Sequence, residues 1–101
     1  MVRPPKISNL MSRISECLDA GHYRYLEHAE KRIQQRKVSR LEVKQVLRSG
    51  HHEKSKDVFR EEYGNWCYSV KGRTVDKRVL RIAVTFDEKE MLIVTVIVLS
   101  K

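Results

Sequence analysis

The stretch "MLIVTVIVL", Met91 to Leu99, decides the fold predicted for this chain of 101 residues. β-Branched residues dominate it, and their side chains favour the extended backbone of a strand. The run is long enough for a strand but well short of the roughly 20 apolar residues that a membrane-spanning helix needs. Apolar residues on both of its faces predict a central position in a sheet or a covered outer face.

Two segments before this run also alternate between apolar and other residues, with the period of two that is typical of strands. One begins at Trp66 and the other covers Val79 to Phe86. The polar sequence "FDEKEM" then forms a short hairpin connection to the last strand. A further, more exposed strand is expected between residues 51 and 63. The C-terminal half therefore predicts a mostly antiparallel sheet of three to four strands.

The N-terminal half has a helical period instead. A second helix is expected from about residue 25 to residue 36, because Leu26, Ala29 and Ile33 form a narrow apolar arc. A first helix, from about residue 7 to residue 20, is predicted by apolar residues at intervals of three and four, namely Ile7, Leu10, Met11, Ile14, Cys17 and Leu18.

Three local signals start a third helix at Ser39. The sequence from Ser39 to Glu42 reads S-x-x-E, a capping box, and Val38 and Val43 occupy the positions of a hydrophobic staple. Gly50 ends this helix. The expected fold is α+β, with three N-terminal helices packed on the sheet in a single domain over residues 1–101. Residues 1–6 are expected to form a short tail.

Composition points to a polyanionic partner. Lys and Arg number 21 against 13 Asp and Glu, which gives a formal net charge of +8. A secretory signal and a membrane-spanning run are absent from the sequence, and Cys17 and Cys67 form no CxxC motif. We therefore expect a cytoplasmic protein with reduced cysteines and no membrane partner. P-loop, dinucleotide-binding and G-x-S-x-G motifs are also absent, which argues against nucleotide hydrolysis and ordinary serine hydrolase chemistry.

The sequence "HAEKRIQQR" places His28, Arg32 and Arg36 four residues apart, along one stripe of the second helix. Two guanidinium groups can bind phosphate oxygens bidentately, and a histidine can transfer a proton near neutral pH. This combination suits metal-free RNA cleavage. In the alternative interpretation, the two arginines pair with carboxylates and cover apolar surface with their stems.

Other basic residues are candidates to extend a phosphate track, and a solvated loop is the alternative interpretation of most of them. Lys77, Arg78 and Arg81 are the candidates, with Lys71 and Arg73 nearby. The sequence His51-His52-Glu53 has the composition of a metal site, but neighbouring strand residues point to opposite faces and no second ligand pair has a suitable spacing. We therefore expect no metal and no cofactor.

The chain resembles a known family from about Tyr23 to Val98. "HAEKRIQQRKVSRLEVKQVLRSG" and the terminal "LIVTVIVL" are similar to the bacterial domain-of-unknown-function family 4258, with its H-A-x-x-R-x-x-x-R helix. That family has been grouped with the RelE-like small ribonuclease toxins. The resemblance implies a RelE-like fold and a site at His28, Arg32 and Arg36.

A fainter likeness is to the family of the motility quorum-sensing regulator toxin, an mRNA interferase. "CLDAGHYR" and "EKSK" match segments of that family, and Lys54 matches a lysine implicated in its activity. Cys67 and Val79 stand where the toxin has glutamine and tyrosine, so the site is expected on the helix stripe. RelE-like toxins often cleave RNA on the sheet face that points away from the helices. In that geometry Arg81, Thr85 and Thr95 are the candidate site residues.

The sequence and both resemblances together predict a metal-free endoribonuclease of the toxin, or mRNA interferase, type. His28, Arg32 and Arg36 form the predicted catalytic set, and RNA is the expected partner. The alternatives are a non-catalytic nucleic-acid-binding module and an interaction domain that docks an acidic, antitoxin-like protein. The predicted RNA-binding residues are Lys54, Lys77, Arg78 and Arg81.

Overall fold

A computed structural model describes residues 3–100 and has an α+β fold. Three helices lie on one face of a six-stranded sheet. None of the described helices is long and apolar enough to span a membrane. The elements follow in the order α1 (Leu10–Ala20), β1 (Tyr23–Tyr25), α2 (Glu27–Arg36), α3 (Arg40–Ser49), β2 (His51–His52), a 3₁₀ turn (Lys54–Lys56), β3 (Val58–Arg60), β4 (Asn65–Arg73), β5 (Val79–Phe86) and β6 (Met91–Ser100).

The sheet has more strands than the predicted three to four. Its order is β1-β6-β5-β4-β2, and β3 also pairs with β4. The strand expected between residues 51 and 63 is split into β2 and β3 by the 3₁₀ turn. β1 was not predicted, and it pairs with β6 in parallel, while the other pairs are antiparallel. β1, β2 and β3 have only two or three residues each. Such short strands cannot show the alternating pattern from which a strand is predicted.

β6 occupies an interior position between β1 and β5, as its apolar sequence indicates. Met91, Ile93 and Val96 are buried beneath the helices. The face of the sheet that points away from the helices, called the outer face below, is covered only in part, since Thr85 and Leu92 on this face are buried. Ile97 and Leu99 lie on this face and keep 42% and 38% of their surface exposed. This exposed part of the outer face is therefore free for contacts.

The helices begin close to the predicted positions. At the start of α3, Ser39 Oγ accepts from the Glu42 amide at 3.0 Å, and Glu42 Oε1 accepts from the Ser39 amide at 2.9 Å. The capping box is therefore present. α1 begins at Leu10 and not at Ile7, because the Ile7 amide donates to Tyr68 Oη at 3.0 Å and lies outside the helix.

The segment before α1 packs against β3 and β4. The Trp66 indole N–H donates to the Pro4 carbonyl at 2.9 Å, and Lys6 Nζ lies 3.2 Å from the buried Asp57 carboxylate. The Arg3 guanidinium lies over the Phe59 ring. Residues 3–6 of the predicted tail are therefore held by specific contacts, and residues 1 and 2 lie outside the described residues.

Two glycines let the end of α3 contact β4 directly. A Cβ atom on Gly50 would lie 2.5 Å from the Val46 carbonyl oxygen and 2.6 Å from that of Lys71. A Cβ atom on Gly72 would lie 3.0 Å from Gly50 Cα. The φ angle of Gly50 is −76°, which any residue adopts, so the requirement for glycine comes from space.

We predict that Gly50→Ala lowers the free energy of unfolding by about 1–3 kcal/mol, because the added methyl group forces two backbone segments apart. Urea unfolding followed by circular dichroism measures this loss. Ser49→Ala is the control: it changes the preceding exposed residue, and we expect a change below about 0.5 kcal/mol. Equal stability of Gly50→Ala and the parent chain would contradict the close approach.

Candidate nucleic-acid interface

The basic stripe, formed by His28, Arg32 and Arg36, lies along α2. Ala29 and Ile33 on the neighbouring side of the helix are buried and hold α2 against the sheet. His28 and Arg36 are exposed, and Arg32 is half-buried. The helix therefore has one face fixed by packing while the stripe beside it reaches solvent.

The first two members of the stripe are in contact. Arg32 Nε donates to His28 Nε2 at 3.5 Å, at the long limit of a hydrogen bond. Within residues 3–100, no carboxylate lies within 4.0 Å of the Arg32 or Arg36 guanidinium. The two glutamates of α2 pair elsewhere, Glu27 with Lys31 and Glu30 with Arg40. The stripe therefore keeps its positive charge available.

Arg78 lies at the C-terminal end of the stripe. Its guanidinium donates to the carbonyl oxygens of Arg36 at 2.9 Å and Lys37 at 3.0 Å, and it lies 3.5 Å from the Glu42 carboxylate. Arg78 thus binds the free carbonyl groups at the end of α2 and ties the β4–β5 hairpin to two helices. The exposed Lys77 precedes it in the same hairpin. The structure brings these two predicted RNA-binding residues to one end of the stripe.

The other two predicted RNA-binding residues lie away from the stripe. Lys54 is exposed in the 3₁₀ turn after β2. Arg81 alternates along β5 with Leu80 and Ile82, which are buried beneath the helices, so its side chain lies on the outer face. The stripe and these two residues therefore do not form one site.

Arg81 is held by a carboxylate. Its Nε and second guanidinium nitrogen donate to the two carboxylate oxygens of Glu53 at 2.7 and 3.2 Å, and Ser69 Oγ donates to Glu53 at 3.1 Å. The hydrogen bonds from Arg81, followed by the one from Ser69, lower the pKa of Glu53 to about 2. The guanidinium therefore joins β5 to the segment after β2 and carries little uncompensated charge.

The two threonines suggested for an outer-face site differ in their surroundings. Thr85 is fully buried, and its hydroxyl donates to the Trp66 carbonyl at 2.7 Å. Thr95 lines an outer-face cavity of about 210 Å³ with Ala83 and Arg81. Lys56 and Arg60 also line this cavity. Sequence reasoning missed these two residues, because β3 and its turn were too short to place them on a face.

The histidines after α3 separate onto opposite faces. His51 is exposed, whereas His52 lies 2.7 Å from the buried Asp57 carboxylate. No three His, Cys, Asp or Glu side chains in the described part of the chain cluster as metal ligands. Cys17 and Cys67 are buried, free thiols, and burial raises the pKa of Cys67. His28 is therefore the histidine that contacts an arginine in the described part of the chain.

The fold and this surface define a small α+β protein with an exposed basic helix stripe. Residues 25–98 match the family described as "Domain of unknown function (DUF4258)". Because the match covers most of the chain, the protein belongs to this family. No curated protein and no solved structure matches the chain.

We predict that Glu53→Gln reduces stability at neutral pH and that its effect disappears in acid. The carboxyl has a pKa of about 2 in the folded chain against an ordinary value of 4.5, so its ionised form stabilises the fold above pH 4.5. This contribution is lost as the pH falls from 4.5 towards 2, because the unfolded chain takes up the proton first. Urea unfolding of both proteins at several pH values measures the difference.

Glu88→Gln, in the exposed β5–β6 hairpin, is the matched control for Glu53→Gln. It removes the same charge without an arginine partner, and we expect little change in stability at any pH. A difference between Glu53→Gln and the parent chain that stays constant from neutral pH to pH 2 would refute the proposed role of the Arg81 contact.

Proposed function

We propose that this protein is a metal-free endoribonuclease of the toxin type and that the basic stripe is its active site. The observation that carries this proposal is the contact between His28 and Arg32, on an exposed helix face where neither stripe arginine has a described carboxylate partner. A proton-transfer group and a phosphate-binding group are thus adjacent. The formal net charge of +8 favours the approach of RNA.

In the proposed reaction, Arg32 and Arg36 bind the non-bridging oxygens of a backbone phosphate. Arg32 then releases His28 Nε2, which costs little because their hydrogen bond is long. His28 removes the proton of the ribose 2′-hydroxyl, and the 2′-oxygen forms a bond to phosphorus. The bond from phosphorus to the 5′-oxygen breaks, and that oxygen leaves with the electron pair and takes a proton from water, while His28 releases the 2′-hydroxyl proton to solvent.

RNA supplies the nucleophile in this scheme, so the protein needs to provide only proton transfer and charge stabilisation. The products are a 2′,3′-cyclic phosphate and a 5′-hydroxyl end. The two arginines stabilise the negative charge that increases on the phosphate in the transition state. A RelE-like relationship is part of the proposal, and the arrangement of helices on one face of a mostly antiparallel sheet supports it.

We predict that the purified protein cleaves RNA in the presence of EDTA and leaves cyclic phosphate and 5′-hydroxyl ends. His28→Ala and Arg32→Ala should each slow cleavage by about 100-fold or more, the usual contribution of a proton-transfer or charge-stabilising group. Single-turnover cleavage of an end-labelled RNA, with analysis of the product ends, measures both effects.

Lys31→Ala is the matched control, since it removes a positive charge from the solvent side of α2, where Lys31 pairs with Glu27. We expect it to cleave at nearly the parent rate. Cleavage unaffected by the loss of both His28 and Arg32 would refute the stripe mechanism. If the RNA stays intact and its binding weakens steeply as the salt concentration increases, the alternative of a non-catalytic nucleic-acid-binding module is supported instead.

An acidic, antitoxin-like protein is the second candidate partner, and the outer face favours it. Val58 and Ile97 keep 48% and 42% of their surface exposed there. They line the same cavity as Lys56 and Arg60, so apolar and positive groups meet in one place. An acidic amphipathic segment complements such a surface.

We predict that Ile97→Asp weakens the complex with such a protein at least tenfold, because it places a like charge in an apolar contact. Titration calorimetry with an acidic amphipathic peptide as the probe measures the loss. Lys31→Ala, on the opposite layer of the molecule, should bind unchanged. Equal affinities of Ile97→Asp and the parent chain would exclude the outer face as the docking surface.

A further inference from the structure

A second basic cleft lies where the end of α3 meets β2 and β4. Its volume is about 580 Å³, and it is open to solvent on the outer face. His51, Lys71 and Arg73 supply its basic groups, and Val79 and Leu99 supply an apolar wall. None of these residues belongs to the basic stripe.

Strand register brings these basic groups together. His51 on β2 lies directly opposite Lys71 on β4, and Lys71 lies directly opposite Arg81 on β5. Directly opposite residues share a face of the sheet and have neighbouring side chains. Arg73 follows Lys71 by two residues and therefore lies on the same face. A histidine, a lysine and an arginine side chain thus meet at one cleft.

The basic side chains of this cleft have no salt-bridge partner within residues 3–100. None of the salt bridges in this part of the chain includes Lys71 or Arg73. The charge of Lys71 contributes to the lowered pKa of Glu53, but the Glu53 oxygens already accept hydrogen bonds from Arg81 and Ser69. An anionic ligand would therefore relieve the repulsion between Lys71 and Arg73.

The backbone of the cleft is held in place by close packing. Gly50 and Gly72 allow the end of α3 to touch β4, so that His51 follows the helix directly and begins β2. The end of α3 and β4, which form the two sides of the cleft, are therefore held together by backbone contact. Basic side chains that stand on a packed backbone lose less conformational entropy on binding than side chains on a free loop.

We propose that this cleft binds a phosphate group of an RNA strand. Arg73 provides a bidentate donor for phosphate oxygens, Lys71 provides a point charge, and the His51 ring provides a further donor. Val79 and Leu99 offer an apolar surface to the adjoining sugar or base. The inference rests on the proposed function in taking RNA as the ligand, but it does not require that the stripe cleave it.

The β4–β5 hairpin connects the two basic surfaces. Arg73 ends β4 on the outer face, and Arg78 leaves the same hairpin towards the end of α2, where it contacts the Arg36 carbonyl. Lys77 lies between them in the hairpin. An RNA strand that follows the basic stripe and bends around this hairpin reaches the cleft. RNA would therefore have a path along one edge of the protein.

The test uses the full chain and a fluorescent 2′-O-methyl RNA of about 12 nucleotides, which binds but lacks the 2′-hydroxyl needed for cleavage. Fluorescence anisotropy gives the affinity at several salt concentrations. We expect Lys71→Gln and Arg73→Gln each to weaken binding about 3–10-fold and to reduce the slope of log affinity against log salt by about 0.7, the value for one phosphate contact on a single strand.

Lys89→Gln is the matched control, because it removes one exposed charge from the β5–β6 hairpin, at the other end of β5. Its affinity and salt slope should match those of the parent chain. Thermal unfolding confirms that all variants are folded. A 5′-phosphorylated and a 5′-hydroxyl form of the RNA distinguish the phosphate source: equal affinity identifies a backbone phosphate, and tighter binding of the first identifies a terminal one.

Unchanged affinity and salt slope in both cleft variants would overturn the proposal. Cleavage of ordinary RNA by the same proteins separates this result from a failure of the stripe mechanism. If His28→Ala cleaves at the parent rate while Lys71→Gln binds weakly, the stripe proposal fails and the cleft stands. If His28→Ala is inactive while both cleft variants bind like the parent chain, the cleft proposal fails alone.

Discussion

The direct contact between the end of α3 and β4 is the constraint on which the arrangement of the molecule depends. Gly50 and Gly72 permit it because neither brings a side chain between the two backbones. α3 is then connected to β2 by Gly50 alone, and β2 pairs with β4 in a defined register. One close approach thus sets the helical layer on the sheet and also fixes which outer-face residues meet.

The carboxylates divide the basic residues into structural and available groups. Glu42 lies beside Arg78 and Glu53 binds Arg81, so each of these arginines joins elements that are distant in sequence. The stripe on α2 and the cleft beside Gly50 have no salt bridge to a carboxylate among the described residues. The stripe and the cleft lie on opposite layers of the fold, and the β4–β5 hairpin connects them.

Local signals made α3 and the long strands predictable. The capping box at Ser39 acts within four residues, so the sequence contains the whole determinant, and the period of two in β5 extends over a full strand. β1 was not predictable in this way. Its three residues are extended because they pair with β6, which follows more than sixty residues later in the chain. The second helix therefore begins at Glu27, two residues later than predicted, because Tyr25 belongs to β1.

By itself the sequence determined the basic stripe, because residues four apart on a helix are neighbours whatever surrounds them. It also determined the central position of β6, because a strand that is apolar on both faces is stable only within a sheet. Only the tertiary structure decided that Arg78 joins the stripe, that Arg81 is held by Glu53, and that His51 meets Lys71. These contacts depend on strand register and on the packing of two glycines, and no local pattern encodes either.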